Sequence, residues 1–172
     1  KMLGATCVLC DTYPDFRMTA ERVEPLITPR TKAVLVNSPS NPCGTVMTGA
    51  EMRDLVDLCR AKGVLLVTDE IYDEFCFPDA REDGHCPSPA RYSEECLLIR
   101  GFGKTYGCTG WRMGYAAGPM PIIQEMCKLQ QYSFVCAPTP LQWGVVPSFG
   151  CDLSPQIAEY ARRRDLVVKA FE

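Results

Sequence analysis

The sequence feature that most constrains the fold is a helix placed between two short apolar runs. Residues 32–36 (Lys-Ala-Val-Leu-Val) and 64–67 (Val-Leu-Leu-Val) are apolar segments of strand length. Between them, Thr48 and Glu51 have the spacing of a helix capping box, and Gly63 stands where such a helix ends. Strand, helix and strand in this order predict a right-handed βαβ unit in a parallel sheet. The uninterrupted run at 32–36 predicts a strand that is buried on both faces.

Further elements extend this unit along the chain. Apolar runs predict a strand near a sheet edge at 5–9, a third main strand at 96–99 and a fourth at 113–117. Helical spacing and proline starts predict a short helix that opens at Thr19 and longer helices at 119–134, 138–149 and 154–172. The fold class is therefore α/β, with a mainly parallel sheet and flanking helices.

Composition excludes several classes of function. The net charge of −3 and the lack of a basic run argue against nucleic acid as a partner. No apolar stretch approaches the roughly 18 residues that a membrane-spanning helix needs, so we expect no membrane partner. The eleven cysteines are odd in number, and the close pair Cys7 and Cys10 has no second pair to complete a metal site. We expect no metal, free thiols and a reducing, cytoplasmic location.

Three polar side chains follow the predicted strands, each just past a strand end. Asn41 follows the first strand, Asp69 the second and Lys104 the third. Ligands of open parallel sheets bind beyond the carboxyl ends of the strands, so an amide, a carboxylate and an amine are expected at one edge. Taken singly, each has a simpler interpretation, such as a turn residue or a solvated loop lysine.

The combination is typical of a site for a carbonyl cofactor that bears a phosphate. A lysine such as Lys104 attacks carbonyls once its pKa is lowered, and forms a Schiff base. Arg112, further along the same segment, has the guanidinium that grips phosphate with paired hydrogen bonds, although alone it would be interpreted as a surface ion-pair residue. A carboxylate such as that of Asp69 keeps a pyridine nitrogen protonated. A tyrosine hydroxyl and an asparagine amide can both bind a phenolic oxygen on the ring.

These segments resemble, in order and separation, the motifs of fold-type I pyridoxal-phosphate enzymes, and within them the class I/II, aspartate-aminotransferase-like aminotransferases. Residues 37–44 (Asn-Ser-Pro-Ser-Asn-Pro-Cys-Gly) resemble the asparagine–proline motif of that family. Residues 69–72 (Asp-Glu-Ile-Tyr) are similar to its pyridine-binding segment. Residues 101–115 resemble its lysine segment, including Lys-x-Tyr and Gly-Trp-Arg-x-Gly-Tyr. The resemblance extends through essentially the whole chain.

The resemblance implies the cofactor pyridoxal 5′-phosphate and a role for each matching residue. Lys104 forms the internal aldimine and then moves the proton between the substrate α-carbon and the cofactor. Asp69 pairs with the pyridine nitrogen. Tyr72 and Asn41 contact the 3′ oxygen and hold the aldimine pKa down, and Arg112 binds the phosphate. The catalytic residues are then Lys104, Asp69 and Tyr72, and all five bind the cofactor.

The chain also departs from the family pattern. Gly101 and Gly103 stand where the family usually has serine or a serine–alanine choice, and Cys43 replaces a threonine. By resemblance, residues 1–150 correspond to part of the cofactor-binding large domain, and residues 151–172 begin the long helix that leads to a missing small domain. The family also implies a homodimer that acts on an amino acid and a 2-oxo acid.

Three functions remain open at this point. The first is transamination through Lys104, which the motif at residues 37–42 favours by analogy with the family. The second is another pyridoxal-phosphate reaction on the same scaffold, such as that of a carbon–sulfur β-lyase or a cyclopropane-forming synthase. The third is a non-catalytic fragment that associates with itself through exposed apolar surface.

Overall fold

The computed structural model describes residues 4–172, and its centre is a four-stranded sheet. The strands are β1 (Ala33–Asn37), β2 (Leu65–Asp69), β3 (Leu97–Gly101) and β4 (Gly114–Ala117), and they lie in this order across the sheet. The first three are parallel, and β4 pairs antiparallel with β3. The segment between β3 and β4 carries no helix long enough to cross the sheet, so β4 returns along β3. The predicted α/β fold with a mainly parallel sheet is confirmed.

Within residues 4–172, six α-helices flank or follow the strands. They are α1 (Ala20–Val23), α2 (Gly49–Lys62), α3 (Phe102–Thr105), α4 (Met120–Ser133), α5 (Thr139–Val145) and α6 (Ser154–Phe171). The helices predicted at 119–134 and 154–172 correspond to α4 and α6. The helix predicted at 138–149 ends early as α5 and continues as a 3-10 helix, Val146–Gly150. Pro147 lies there and has no backbone N–H to continue the α-helical hydrogen bonds.

Helix α2 begins and ends where the local signals place it. The Thr48 hydroxyl accepts a hydrogen bond from Glu51 N at 3.2 Å, and the Glu51 carboxylate accepts one from Thr48 N at 2.7 Å. Gly63 ends the helix in the left-handed conformation, with φ 63° and ψ 36°. The apolar face of the helix packs on β1 and β2 in one core cluster, which includes Met52, Leu55, Val56, Cys59, Val34, Val36 and Leu66.

The prediction that β1 is buried on both faces is wrong. Val34 and Val36 are buried, whereas the alternate residue Leu35 is 63% exposed. In β2, Leu65 and Val67 are likewise only half-buried. Successive side chains of a strand point to opposite faces, and the apolar cluster with α2 covers only one of them. The described residues therefore bury one face of this part of the sheet.

The predicted edge strand at 5–9 is also wrong. Residues 5–9 have no regular secondary structure and pair with none of the four strands. Val8 is 66% exposed and Leu9 is 88% exposed, so the apolar run has no packed surface to stabilise it as a strand. An apolar run of strand length thus does not form a strand without a neighbouring edge.

Two further expectations concern the whole chain. All eleven cysteines are free thiols. Within residues 4–172, none of the helices combines the length and the apolar character that crossing a bilayer requires.

The loop after β2 holds the start of α2 through one carboxylate. Glu82 Oε1 accepts a hydrogen bond from Gly49 N at 2.6 Å, at the first turn of the helix. A carboxylate in this position satisfies a free N–H and complements the helix dipole. A Cβ atom on Gly49 would overlap the Glu82 carboxylate and the Tyr92 hydroxyl. Gly49 is therefore required by close packing rather than by its backbone angles.

We predict that Gly49→Ala lowers the free energy of unfolding by about 1–3 kcal/mol, because the added methyl group displaces Glu82 from the helix start. Urea unfolding followed by circular dichroism measures this. The matched control is Ala50→Ser at the next, exposed position, which should change the free energy by less than about 0.5 kcal/mol. Equal stability of both variants would show that Glu82 moves aside without cost.

Candidate functional site

The carboxyl ends of β1 and β2 are level, and hydrogen bonds join them. In the sheet register Asn37 pairs with Asp69. The Asp69 carbonyl accepts hydrogen bonds from Ser38 N at 3.2 Å and from the Asn37 side-chain amide at 3.0 Å. The Asp69 carboxylate accepts one from Ile71 N at 3.2 Å, which turns the chain away from the strand. The half-buried Asp69 side chain is therefore fixed at the sheet edge.

Asn37 is a site-organising residue that the sequence interpretation did not single out. Besides its bond to Asp69, its side-chain oxygen accepts a hydrogen bond from Asn41 N at 2.9 Å. One amide group thus fixes both the end of β2 and the loop that carries Asn41. The available signal was its position as the first polar residue after the apolar run, but nothing in the sequence identified its two partners.

Asn41 and Tyr72 are in direct contact. The Asn41 side-chain amide donates to the Tyr72 hydroxyl at 3.2 Å, across a sequence separation of more than thirty residues. Tyr72 lies at the start of a 3-10 turn, Asp73–Phe75, that follows the end of β2. The structure therefore brings together two of the predicted site residues and places Asp69 in the segment that leads to one of them.

Lys104 lies on the short helix α3, directly after β3. The helix packs against the 3-10 turn Asp73–Phe75 that follows Tyr72. Its first residue, Phe102, is buried and belongs to a second apolar cluster with Met113 and Val145. The Lys104 side chain is exposed, and its amine forms no ion pair or hydrogen bond with residues 4–172. A helix held by its apolar residues thus presents an unpaired amine beside the turn that carries Tyr72.

Arg112 has an unusual backbone conformation for a side chain of its size. It follows the 3-10 turn Thr109–Trp111 with φ 55° and ψ 38°, in the left-handed region. Such a conformation costs a non-glycine residue about 1–3 kcal/mol and is concentrated at functional sites. The side chain is exposed and forms no hydrogen bond or ion pair with the other four predicted site residues. The structure places Arg112 in the connection between β3 and β4, which also carries Lys104.

The packing around Gly101 explains why a glycine stands there. A Cβ atom at this position would lie 2.6 Å from Cδ1 of Ile71 and 3.3 Å from the Met113 carbonyl oxygen. The side chain of Ile71, which lies between Asp69 and Tyr72 in sequence, therefore covers the backbone at the end of β3. At Gly103 a Cβ atom would lie 3.3 Å from Thr109 Cα. A serine at either position requires its neighbours to move.

Two further polar groups lie beside Lys104. The Thr105 hydroxyl is buried and has no hydrogen-bond partner among the described residues. Burial, together with the negative charges of Glu74 and Asp73, raises the pKa of Tyr106. Tyr106 therefore remains protonated, as a hydrogen-bond donor, over the neutral pH range.

Comparisons with known proteins were made for the whole chain. The family model described as aminotransferase class I and II matches residues 1–167. A probable aspartate aminotransferase of Methanocaldococcus jannaschii is 34% identical over 171 residues, which are 94% of this chain and 44% of that protein.

Solved structures give a similar result. A tetra mutant of Thermus thermophilus aspartate aminotransferase superposes with a TM-score of 0.82 at 35% identity, over 94% of this chain and 46% of that chain. The aromatic aminotransferase of Pyrococcus horikoshii gives a TM-score of 0.81 at 31% identity, over 90% of this chain and 43% of that chain. The chain thus spans less than half the length of these relatives.

We predict that Asn37→Ala lowers the free energy of unfolding by about 1–3 kcal/mol, because it removes the two hydrogen bonds by which one amide joins the end of β2 to the loop that carries Asn41. Thermal and urea unfolding measure the loss. Ser40→Ala in the same loop is the control, since the Ser40 side chain forms no hydrogen bond with the described residues. Identical unfolding of the two variants would contradict the organising role of Asn37.

Proposed function

The chain belongs to the class I and II aminotransferases, and on this basis we propose that the protein transfers an amino group from an amino acid to a 2-oxo acid with pyridoxal 5′-phosphate as cofactor. The observation that carries the proposal is the hydrogen bond between Asn41 and Tyr72, beside the end of β2 at Asp69 and the start of the Lys104 helix. An amide, a phenol, a carboxylate and an amine then converge at one edge of a parallel sheet.

The donor set fits this cofactor. In the proposal, Lys104 holds the cofactor carbonyl through its unpaired amine and later takes the proton from the substrate α-carbon. The Asp69 carboxylate would pair with the pyridine nitrogen, and the contacting pair Tyr72 and Asn41 would donate hydrogen bonds to the phenolic oxygen. Arg112 binds the phosphate through its exposed guanidinium. When bound, the cofactor supplies an electron-withdrawing ring that stabilises negative charge at the α-carbon.

Transamination is favoured over the lyase and synthase alternatives by the named relatives. The three relatives named above are described as aspartate or aromatic aminotransferases, at 31–35% identity. We propose that the substrate is an amino acid of one of these two classes. The selectivity for the side chain of the substrate depends on residues other than the five proposed here.

The domain organisation, assembly and location are part of the same proposal. Residues 1–150 form part of the cofactor-binding large domain, and residues 151–172 begin the helix that leads to a smaller domain in this family. The start of α6 at Ser154 supports this division. We further propose a homodimer, as the family implies, and a cytoplasmic location, which the eleven free thiols support.

We predict that pyridoxal phosphate, added to the protein and fixed by borohydride, labels Lys104. Peptide mapping by mass spectrometry locates the label. Lys128 on α4 serves as an internal control, because it is exposed and paired only with Glu125 on the same helix. A label spread equally over both lysines, or one retained in Lys104→Ala, would contradict the proposed site.

We predict that Tyr72→Phe raises the pH midpoint of the visible absorption band of the bound cofactor by about one unit or more. The band reports protonation of the nitrogen that would join Lys104 to the cofactor, and loss of the hydrogen bond to the neighbouring oxygen disfavours the deprotonated form. The measurement is a spectrophotometric pH titration. Tyr132→Phe is the control, since Tyr132 is 90% exposed on α4. A midpoint that is the same in all three proteins would exclude contact between Tyr72 and the cofactor oxygen.

A further inference from the structure

A buried ionic cluster lies next to the candidate site but shares no residue with it. Glu70 is 1% exposed, and one of its carboxylate oxygens accepts hydrogen bonds from Arg100 Nε at 3.1 Å and Nη2 at 2.7 Å. The third guanidinium nitrogen of Arg100 lies 3.1 Å from the Asp73 carboxylate. A single arginine on β3 thus binds two carboxylates of the segment that follows β2.

The other oxygen of Glu70 is also occupied. It accepts hydrogen bonds from the Ser88 hydroxyl at 2.7 Å and from the Thr68 hydroxyl at 3.2 Å. Burial raises the pKa of Glu70, and the Arg100 guanidinium opposes this rise. Every polar atom of the carboxylate is therefore paired, as a buried charge requires.

In this segment, each proposed cofactor residue stands next to a residue of the ionic cluster. Asp69 immediately precedes Glu70, and Tyr72 immediately precedes Asp73. Successive side chains of extended backbone point to opposite sides, and the bond between Thr68 and Glu70 shows that these two share a side. Each of the two proposed cofactor residues is therefore followed directly by a carboxylate that Arg100 holds.

Arg100 of this cluster lies shortly before Lys104 in the sequence. Arg100 is followed by Gly101 and then by α3, which carries Lys104. Glu70 N also donates to the Ile99 carbonyl at 2.9 Å, which extends the pairing of β2 with β3 beyond Asp69. The guanidinium thus joins the Asp69–Tyr72 segment to the strand from which the lysine helix begins.

We infer that Arg100, with Glu70 and Asp73, is a positioning residue that fixes Asp69 and Tyr72 relative to Lys104. This inference rests on the proposed function, in which those three residues hold the cofactor. Arg100 itself touches neither substrate nor cofactor in this role. It acts by holding the turn Asp73–Phe75 against the sheet, and with it the Tyr72 hydroxyl.

The test compares Arg100→Met, Arg100→Lys and Asp73→Asn with the unaltered protein. The control is Arg162→Met, which removes an exposed arginine that pairs only with Glu159 on the same helix. We expect Arg100→Met to weaken pyridoxal phosphate binding about tenfold and to raise the pH midpoint of its absorption band by about half a unit or more. Arg100→Lys, which keeps the charge, should restore part of both values, and Asp73→Asn should show a smaller shift in the same direction.

A merely structural role gives a different result. If Arg100→Met and Asp73→Asn lower the melting temperature but leave the cofactor affinity and the pH midpoint equal to those of the control, the inference is wrong. Should Arg100→Met fail to fold, Asp73→Asn decides by the same two measurements.

Hydrogen exchange of the cofactor-free proteins separates this inference from the proposed function. We expect Arg100→Met and Asp73→Asn to increase amide exchange in both 69–75 and 101–106, with no change in the control. Exchange that is unchanged in these segments overturns the inference. If the unaltered protein binds no pyridoxal phosphate, the proposed function is wrong. The exchange result then still tests whether Arg100 holds the two segments in place.

Discussion

The candidate site depends on the parallel hydrogen-bond ladder of β1, β2 and β3. In this ladder Asn37 pairs with Asp69, and Asp69 pairs with Ile99, so the three strands reach the same edge in register. The polar segments that follow must therefore start side by side. A shift of one residue between β1 and β2 would send Asp69 to the opposite face and break its bond with Asn37. The chemistry at the edge is thus a consequence of strand register.

Local signals in the sequence predicted the parts of the fold that depend on neighbouring residues. The capping box of Thr48 and Glu51 marks the start of α2, and the left-handed Gly63 marks its end. Strand ends were predictable because polar residues follow apolar runs. What depends on distant packing was not predictable: the exposed face at Leu35 and the unpaired run at 5–9. The early end of α5 has a local cause, Pro147. In the site, the sequence named Asn41 and Tyr72, and the structure adds their contact. The bond of Asn37 to Asp69 and the pairing of Arg100 with Glu70 required three-dimensional information, since each joins residues some thirty positions apart along the chain.

The described residues leave much apolar surface uncovered. On β1, Leu35 is exposed while its neighbours are buried, and along and after α4 the side chains of Leu129, Tyr132 and Phe134 are exposed. Large exposed apolar patches mark contacts with other protein surfaces. The site edge differs, because there the exposed groups are polar and are held by hydrogen bonds or by neighbouring packing. The face that carries the proposed chemistry is therefore ordered by the described residues themselves.

The pairing of Arg100 with Glu70 and Asp73, directly after Asp69 and Tyr72, limits which of these residues can change singly. Replacement of Arg100 alone leaves two carboxylates, one of them buried, without the charge that balances them. Replacement of Glu70 alone leaves the half-buried guanidinium with Asp73 as its remaining carboxylate partner, and it removes the acceptor of the buried Ser88 and Thr68 hydroxyls. Single steps in either direction pass through a strained intermediate, so these positions can drift only as a coordinated set. Asp69 and Tyr72 lie outside this ionic set, so a change at either position leaves the charges of the set balanced.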